Sequence, residues 1–204
     1  MRATSPLILR TRRSSTAWRV ERAWQSVVAL VVFLKGVNVG GHRRLRPLLL
    51  AEQLRHLDAV NVGAAGTLVI RKRVGRARLR AEIARRLPFD AAIAICEGRE
   101  IVGLLAHASF AGLPRKTGIV RFVSMLSRVP RPSPKLPQKF PSRGKWLLKV
   151  LSRDGRFVFG VYRRHMKVIG YLRSLDEVFG VPATTRNWNT IRAVSKVVTA
   201  GATQ

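Results

Sequence analysis

The chain has 204 residues, 47% of them hydrophobic, which is enough to bury a core and excludes a wholly disordered polypeptide. Its 39 Lys and Arg stand against 10 Asp and Glu, a formal net charge of +29, so a polyanion is the first partner to consider, although biased composition also accumulates arginine. A single cysteine, Cys96, excludes an intrachain disulfide and a thiolate metal cage, and the longest apolar run, Val27 to Leu34, is too short to span a bilayer.

Residues 1–26 read as a basic, disordered N-terminal arm. Up to Gln25 it is rich in Arg, Ser and Thr with Glu21 as its sole acid, a composition shared by organellar transit peptides, disordered extensions and reading frames begun at an upstream start codon, and Trp18 and Trp24 are placed to tether it. Val27 to Leu34 is β-branched, short and bounded by glycine, as a buried strand should be. Pro47 opens a helix to about Asp58, with Leu50, Leu54 and Leu57 at helical spacing. Asn61 to Ile70 returns to strand composition. Val74 to Leu87 places Leu79, Ile83 and Leu87 on one helical face, and Pro88 stops it. Its other face carries Arg78, Arg85 and Arg86, preceded by Arg71, Lys72, Arg73 and Arg76, as either a solvated face or a phosphate track would.

Ala91 to Cys96 is a third strand and Glu100 to Ala106 a short helix, so the order so far is βαβαβ. A strand over Ile119 to Leu126 follows, then residues 129–144, whose prolines and basic residues predict an exposed loop without regular structure. Trp146 to Leu151 and Phe157 to Tyr162 are strands joined by Asp154-Gly155, a hairpin signal. Tyr171 to Val178 reads as a helix, and Thr185 is a suitable cap for a last one from about Arg186 to Val198.

Between the first strand and helix, Gly36-Val37-Asn38-Val39-Gly40-Gly41-His42-Arg43 is a loop whose backbone N–H groups and helix dipole suit an anion. A nucleotide-hydrolysing phosphate loop is excluded, because its Lys and Ser or Thr are replaced by His42 and Arg43. A tight turn is the competing use of these glycines. Taken with Thr184-Thr185-Arg186-Asn187-Trp188-Asn189-Thr190-Ile191, this loop resembles the bacterial family 1697 among domains of unknown function. Phe33 to Gly41 is similar to the opening signature of that family and Thr185 to Thr190 to its closing one. The chain departs where Ser-Gly-Asn usually follows the first helix, carrying Ala65-Gly66-Thr67 instead. The resemblance implies an α+β fold of two α/β-plait (ferredoxin-like) subdomains with antiparallel sheets, and it implies no activity. The subdomains are expected over 27–98 and 99–204.

The closing motif reads in two ways. Arg186, Asn187, Asn189 and Thr190 beside Trp188 at a helix start suit an anion, and the same residues serve as a structural cap over a core indole. In Phe157-Val158-Phe159-Gly160-Val161-Tyr162 the alternate aromatics match an RNA-stacking strand, but Arg156 and Val158 stand where that motif wants small residues, which favours core packing; Arg163, Arg164, His165 and Lys167 follow. His42, His56, His107 and His165 lack metal-ligand spacing, and no nucleophile elbow or facing carboxylate pair is legible.

These observations leave two functional expectations for a bacterial, cytoplasmic protein with no cofactor, no metal and no membrane partner. One is a non-catalytic binder of nucleic acid or another polyanion. The other is an enzyme or receptor for a small phosphorylated or carboxylated ligand held by Lys35, Gly36, Asn38, Gly40 and Gly41 on one side and by Arg186, Asn187, Trp188, Asn189 and Thr190 on the other.

Overall fold

A computed structural model describes residues 29–38, 44–113 and 117–200. The N-terminal arm, Val27, Val28, Gly40, Gly41 and His42 lie outside them. The first part of the chain runs β1 (Leu30–Leu34), α1 (Pro47–Gln53), a 3-10 turn (Arg55–Leu57), β2 (Ala59–Asn61), β3 (Thr67–Ile70), α2 (Arg76–Ala84) and β4 (Ile93–Glu97). Its strands form an antiparallel sheet in the order β2-β3-β1-β4, the order of an α/β plait.

The second part comprises α3 (Gly98–Gly103), two 3-10 turns (Leu104–Ala106, Ala108–Phe110), β5 (Ile119–Leu126), β6 (Gln138–Phe140), β7 (Leu148–Asp154) and β8 (Phe157–Arg163). It ends with α4 (Val168–Arg173), α5 (Leu175–Phe179), β9 (Ala183–Asn187) and α6 (Trp188–Ala200). The second sheet is also antiparallel, in the order β6-β7-β8-β5-β9. The chain is therefore an α+β protein built on two antiparallel sheets. In the second sheet the crossover between β5 and β7 is the proline-rich segment rather than a helix, and it contributes the edge strand β6.

Strand alternation sorts the apolar residues into three cores. In β1, Leu30, Val32 and Leu34 face α1 and α2, where they pack with Leu50, Leu54, Leu79 and Ile83. Val31 and Phe33 face the other way, into a core shared by both sheets, where α3 and α6 insert Ile101, Val102, Ile191, Val194 and Val198 between them. The second sheet supplies Val123, Met125, Phe157, Phe159 and Val161 to this middle layer. Its outer face packs Phe122, Leu126, Leu148 and Val158 on Leu175 and Phe179 of α5. Gly160 keeps β8 close to β5: a Cβ there would run into the Phe122 ring and the Lys149 carbonyl.

Four expectations about elements change. Tyr171 to Val178 is not one helix: α4 ends at Arg173 and α5 begins at Leu175, with Ser174 between them. Asn61 to Ile70 is not one strand but a strand, a turn and a strand, because Gly63 and Gly66 take positive φ (77° and 67°), which ends pairing between them. The proline-rich segment is not wholly irregular, since Gln138–Phe140 pairs with β7, at the sheet edge where flanking prolines are tolerated. The last helix begins at Trp188, not Arg186: Thr184 to Asn187 pair with β5 as strand β9. Propensity at Thr185 fits both a cap and a strand, and a free edge on β5 decides for the strand.

Candidate anion-binding site

The two motifs that suggested a ligand site come together, through Arg186. This residue is 7% exposed and reaches from β9 across to the first sheet. Its Nε donates to Thr67 Oγ1 (2.8 Å), and its Nη2 donates to the carbonyls of Leu34 (2.8 Å), Ala65 (2.6 Å) and Gly66 (3.2 Å). Nη1 donates to the Thr185 carbonyl (2.8 Å), and the guanidinium lies over the Phe33 ring (5.6 Å). No carboxylate joins it among the described residues, and burial pulls its pKa down to about 10. It is still charged at neutral pH, with the charge dispersed over carbonyl dipoles. The stretch Ala65-Gly66-Thr67 is thus the acceptor surface for Arg186.

The other expected residues hold the structure in identifiable ways. Lys35 ion-pairs with Asp176 of α5, a second tie between the parts of the chain. Gly36 and Asn38 take positive φ (69° and 56°). The Asn38 amide donates to the carbonyls of Leu45 (2.9 Å) and Ala64 (2.7 Å) and accepts from Leu45 N (2.9 Å), closing the loop on itself. Asn187 Oδ1 accepts from Thr190 N (2.8 Å) and Thr190 Oγ1 (3.0 Å), which caps α6. Trp188 is half-buried, edge-on to Phe110 with centroids 4.9 Å apart. Phe157 and Phe159 are core residues, 8% and 0% exposed, and His107 stacks on Phe159 at 4.2 Å.

Beside the start of α6 opens a groove of about 990 Å³. Its floor is the inner face of the second sheet, at the end where the middle layer stops: Ile119 and Arg121 of β5, Lys149 and Leu151 of β7, Val161 and Arg163 of β8. Trp146 and Arg164 flank these strands, and Asn187, Trp188, Asn189 and Arg192 form the opposite wall. Among the described residues the lining holds five cationic side chains, Arg121, Lys149, Arg163, Arg164 and Arg192, and no Asp or Glu. The α6 N-terminus adds its partial positive charge to the same space.

Several of these cations are held in place. Lys149 Nζ and the Arg163 guanidinium both lie over the Trp146 ring, at 4.6 and 4.4 Å from its centroid, and Arg163 Nε donates to the Trp146 carbonyl (3.1 Å). Arg121 donates to the Leu113 carbonyl (2.7 Å) and lies over Phe110 (5.6 Å). Ion pairs use the charges elsewhere: Arg76 with Glu97, Arg86 with Glu82, Arg71 with Asp58, Arg156 with Glu100. In the Arg71 to Arg86 run Arg71, Arg76 and Arg86 thereby have a carboxylate partner, whereas none of the five groove cations does among the described residues.

Of the groove residues, the sequence motifs included Asn187, Trp188 and Asn189, the likeness to an RNA-stacking strand added Arg163 and Arg164, and Arg121, Lys149 and Arg192 were missed. The available signal was parity. Arg121 shares the inward register of Val123 and Met125, Lys149 pairs with Val161, and Arg163 with Ile119, so each is a base at a core-facing position.

Among the described residues, no helix is long and apolar enough to cross a membrane. No family model matches the chain, and no curated protein matches it. Its fold is similar to that of a solved structure, a conserved bacterial protein from Streptococcus pneumoniae, with 14% identity and a TM-score of 0.50 over 83% of this chain and 98% of that one. At that identity the likeness concerns the fold alone.

Proposed function

We propose that this protein is a non-catalytic binder of nucleic acid or a comparable phosphate polyanion, which lies in the groove between the second sheet and the start of α6. One observation carries the reading: five cations converge on a single groove whose lining contains no carboxylate. Like charges gathered without counter-charge repel one another, and an anionic ligand relieves that repulsion. The alternative site between the Lys35 to Gly41 loop and the Thr185 to Thr190 segment has less support, because Lys35, Asn38 and Arg186 already have intramolecular partners. The reading keeps the chain in the bacterial cytoplasm and within the likeness to family 1697, whose two signatures are the segments that Arg186 joins.

Salt dependence tests it. A single strand that neutralises all five cations loses roughly 100-fold in affinity between about 50 and 200 mM salt by counterion release. Fluorescence anisotropy with a labelled single-stranded oligonucleotide measures this. Absence of binding at low salt, or affinity indifferent to salt, would overturn the proposal.

A further inference from the structure

The plait sheets that read RNA stack bases on exposed aromatic side chains. Here that route is closed. Phe157 and Phe159, the alternate aromatics of β8, lie under the middle layer of α3 and α6, in the core shared by the two sheets. The Trp146 ring already engages Lys149 and Arg163, each within 5 Å of its centroid, so a base stacking there would compete with these cations. Trp188 packs edge-on against Phe110 and belongs to the margin of the same core. The Asn187 amide oxygen is engaged by the first turn of α6, which leaves its N–H groups, donors suited to phosphate oxygens.

We infer that the groove recognises the phosphates of its ligand and is indifferent to the bases. Trp146 then serves as a positioning residue: it holds Lys149 and Arg163 in the groove before the ligand arrives, which reduces the ordering cost of binding. The inference rests on the polyanion reading above. The shared chemistry is a chain of linked phosphates, whether carried on a sugar backbone or inorganic.

Anisotropy with strands of about 12 nucleotides tests it, using labelled oligothymidylate, oligoadenylate and an abasic strand of equal length, with inorganic polyphosphate as competitor. The three strands should bind within about threefold of one another, and polyphosphate should displace each of them. An abasic strand that binds about tenfold more weakly, the loss of roughly one stacked base, would overturn the inference while leaving the polyanion reading intact. So would polyphosphate that fails to displace the strands. Failure of every strand to bind at low salt removes both. A second arm uses W146L and W146F, with circular dichroism to verify folding. W146L should weaken normal and abasic strands by the same factor, and W146F, which keeps a ring for the cations, should restore much of the binding. Weakening confined to strands that carry bases would assign Trp146 to stacking and overturn the inference.

Discussion

Arg186 and Arg192 belong to one stretch of chain and have opposite environments. Arg186 sits at the joint between the sheets, buried, with five hydrogen bonds to backbone and hydroxyl oxygens. Arg192, exposed on α6, faces a groove whose other charges are all positive. The difference teaches that arginine content by itself does not locate a binding surface. What matters is whether the fold places acceptors around the guanidinium. At the joint, the Leu34 carbonyl at the end of β1 and the Ala65 and Gly66 carbonyls already engage it, so an incoming anion would compete with bonds that hold the sheets together. In the groove Arg121 and Arg163 have one carbonyl acceptor each, from Leu113 and Trp146, and among the described residues no carboxylate pairs with any of the five cations.

The joint is where a single substitution should do most damage. Arg186→Leu takes the donor from the buried Thr67 hydroxyl and the guanidinium ties from the Leu34, Ala65 and Gly66 carbonyls, and should destabilise the protein by about 3 kcal/mol in urea unfolding. Arg186→Lys keeps the charge and loses the planar fork, so it should recover only part of that loss. An unchanged midpoint for Arg186→Leu would mean that the burial cost of the guanidinium cancels its hydrogen bonds, and the clamp would be no clamp.

A smaller effect, of opposite kind, is expected in the groove. The double change Arg163→Gln with Arg192→Gln should cut oligonucleotide affinity about tenfold and flatten its salt dependence, with little change in the unfolding midpoint. Loss of stability without loss of binding would reverse the roles assigned to the two regions.

The smallest effect sharpens the joint. Arg156 of the β7–β8 turn donates to both oxygens of Glu100 on α3 (3.0 and 2.8 Å) and to the Ile95 carbonyl (3.2 Å), next to the buried Cys96. Burial pushes the Cys96 thiol up to about 12. At pH 8 it stays protonated in the folded protein, and labelling by a thiol reagent requires opening. Because this folded value lies above the ordinary 9.0, the thiol costs no stability below pH 9, and stability falls as pH rises from there towards 12. Glu100→Gln should destabilise by about 1 kcal/mol and speed labelling at pH 8 severalfold. Arg186→Leu should speed it more. Equal labelling in all three proteins would show that these contacts do not govern the joint.

Much of the architecture was legible in the sequence. Val31-Val32-Phe33-Leu34 is apolar at both parities because its sheet is covered on both faces, and that pattern identified one of the two interior strands of the first sheet. The Asp154-Gly155 hairpin was legible for local reasons, since Gly155 takes the positive φ (52°) that the turn requires. Strand β9 was not, because Thr, Arg and Asn at 184–187 satisfy a cap as readily as a strand, and the edge of β5 that recruits them comes from a distant part of the chain.

The candidate site divides the same way. The sequence by itself determined the excess of positive charge, the alternation that builds three cores and the two motifs that now meet at Arg186. Only the tertiary structure decided which arginines are taken up by ion pairs or buried acceptors and which converge on one groove with no carboxylate partner among the described residues. A charge becomes a site through its neighbours, and Arg121, Lys149, Arg163 and Arg192 are neighbours only after β5, β7, β8 and α6 have packed.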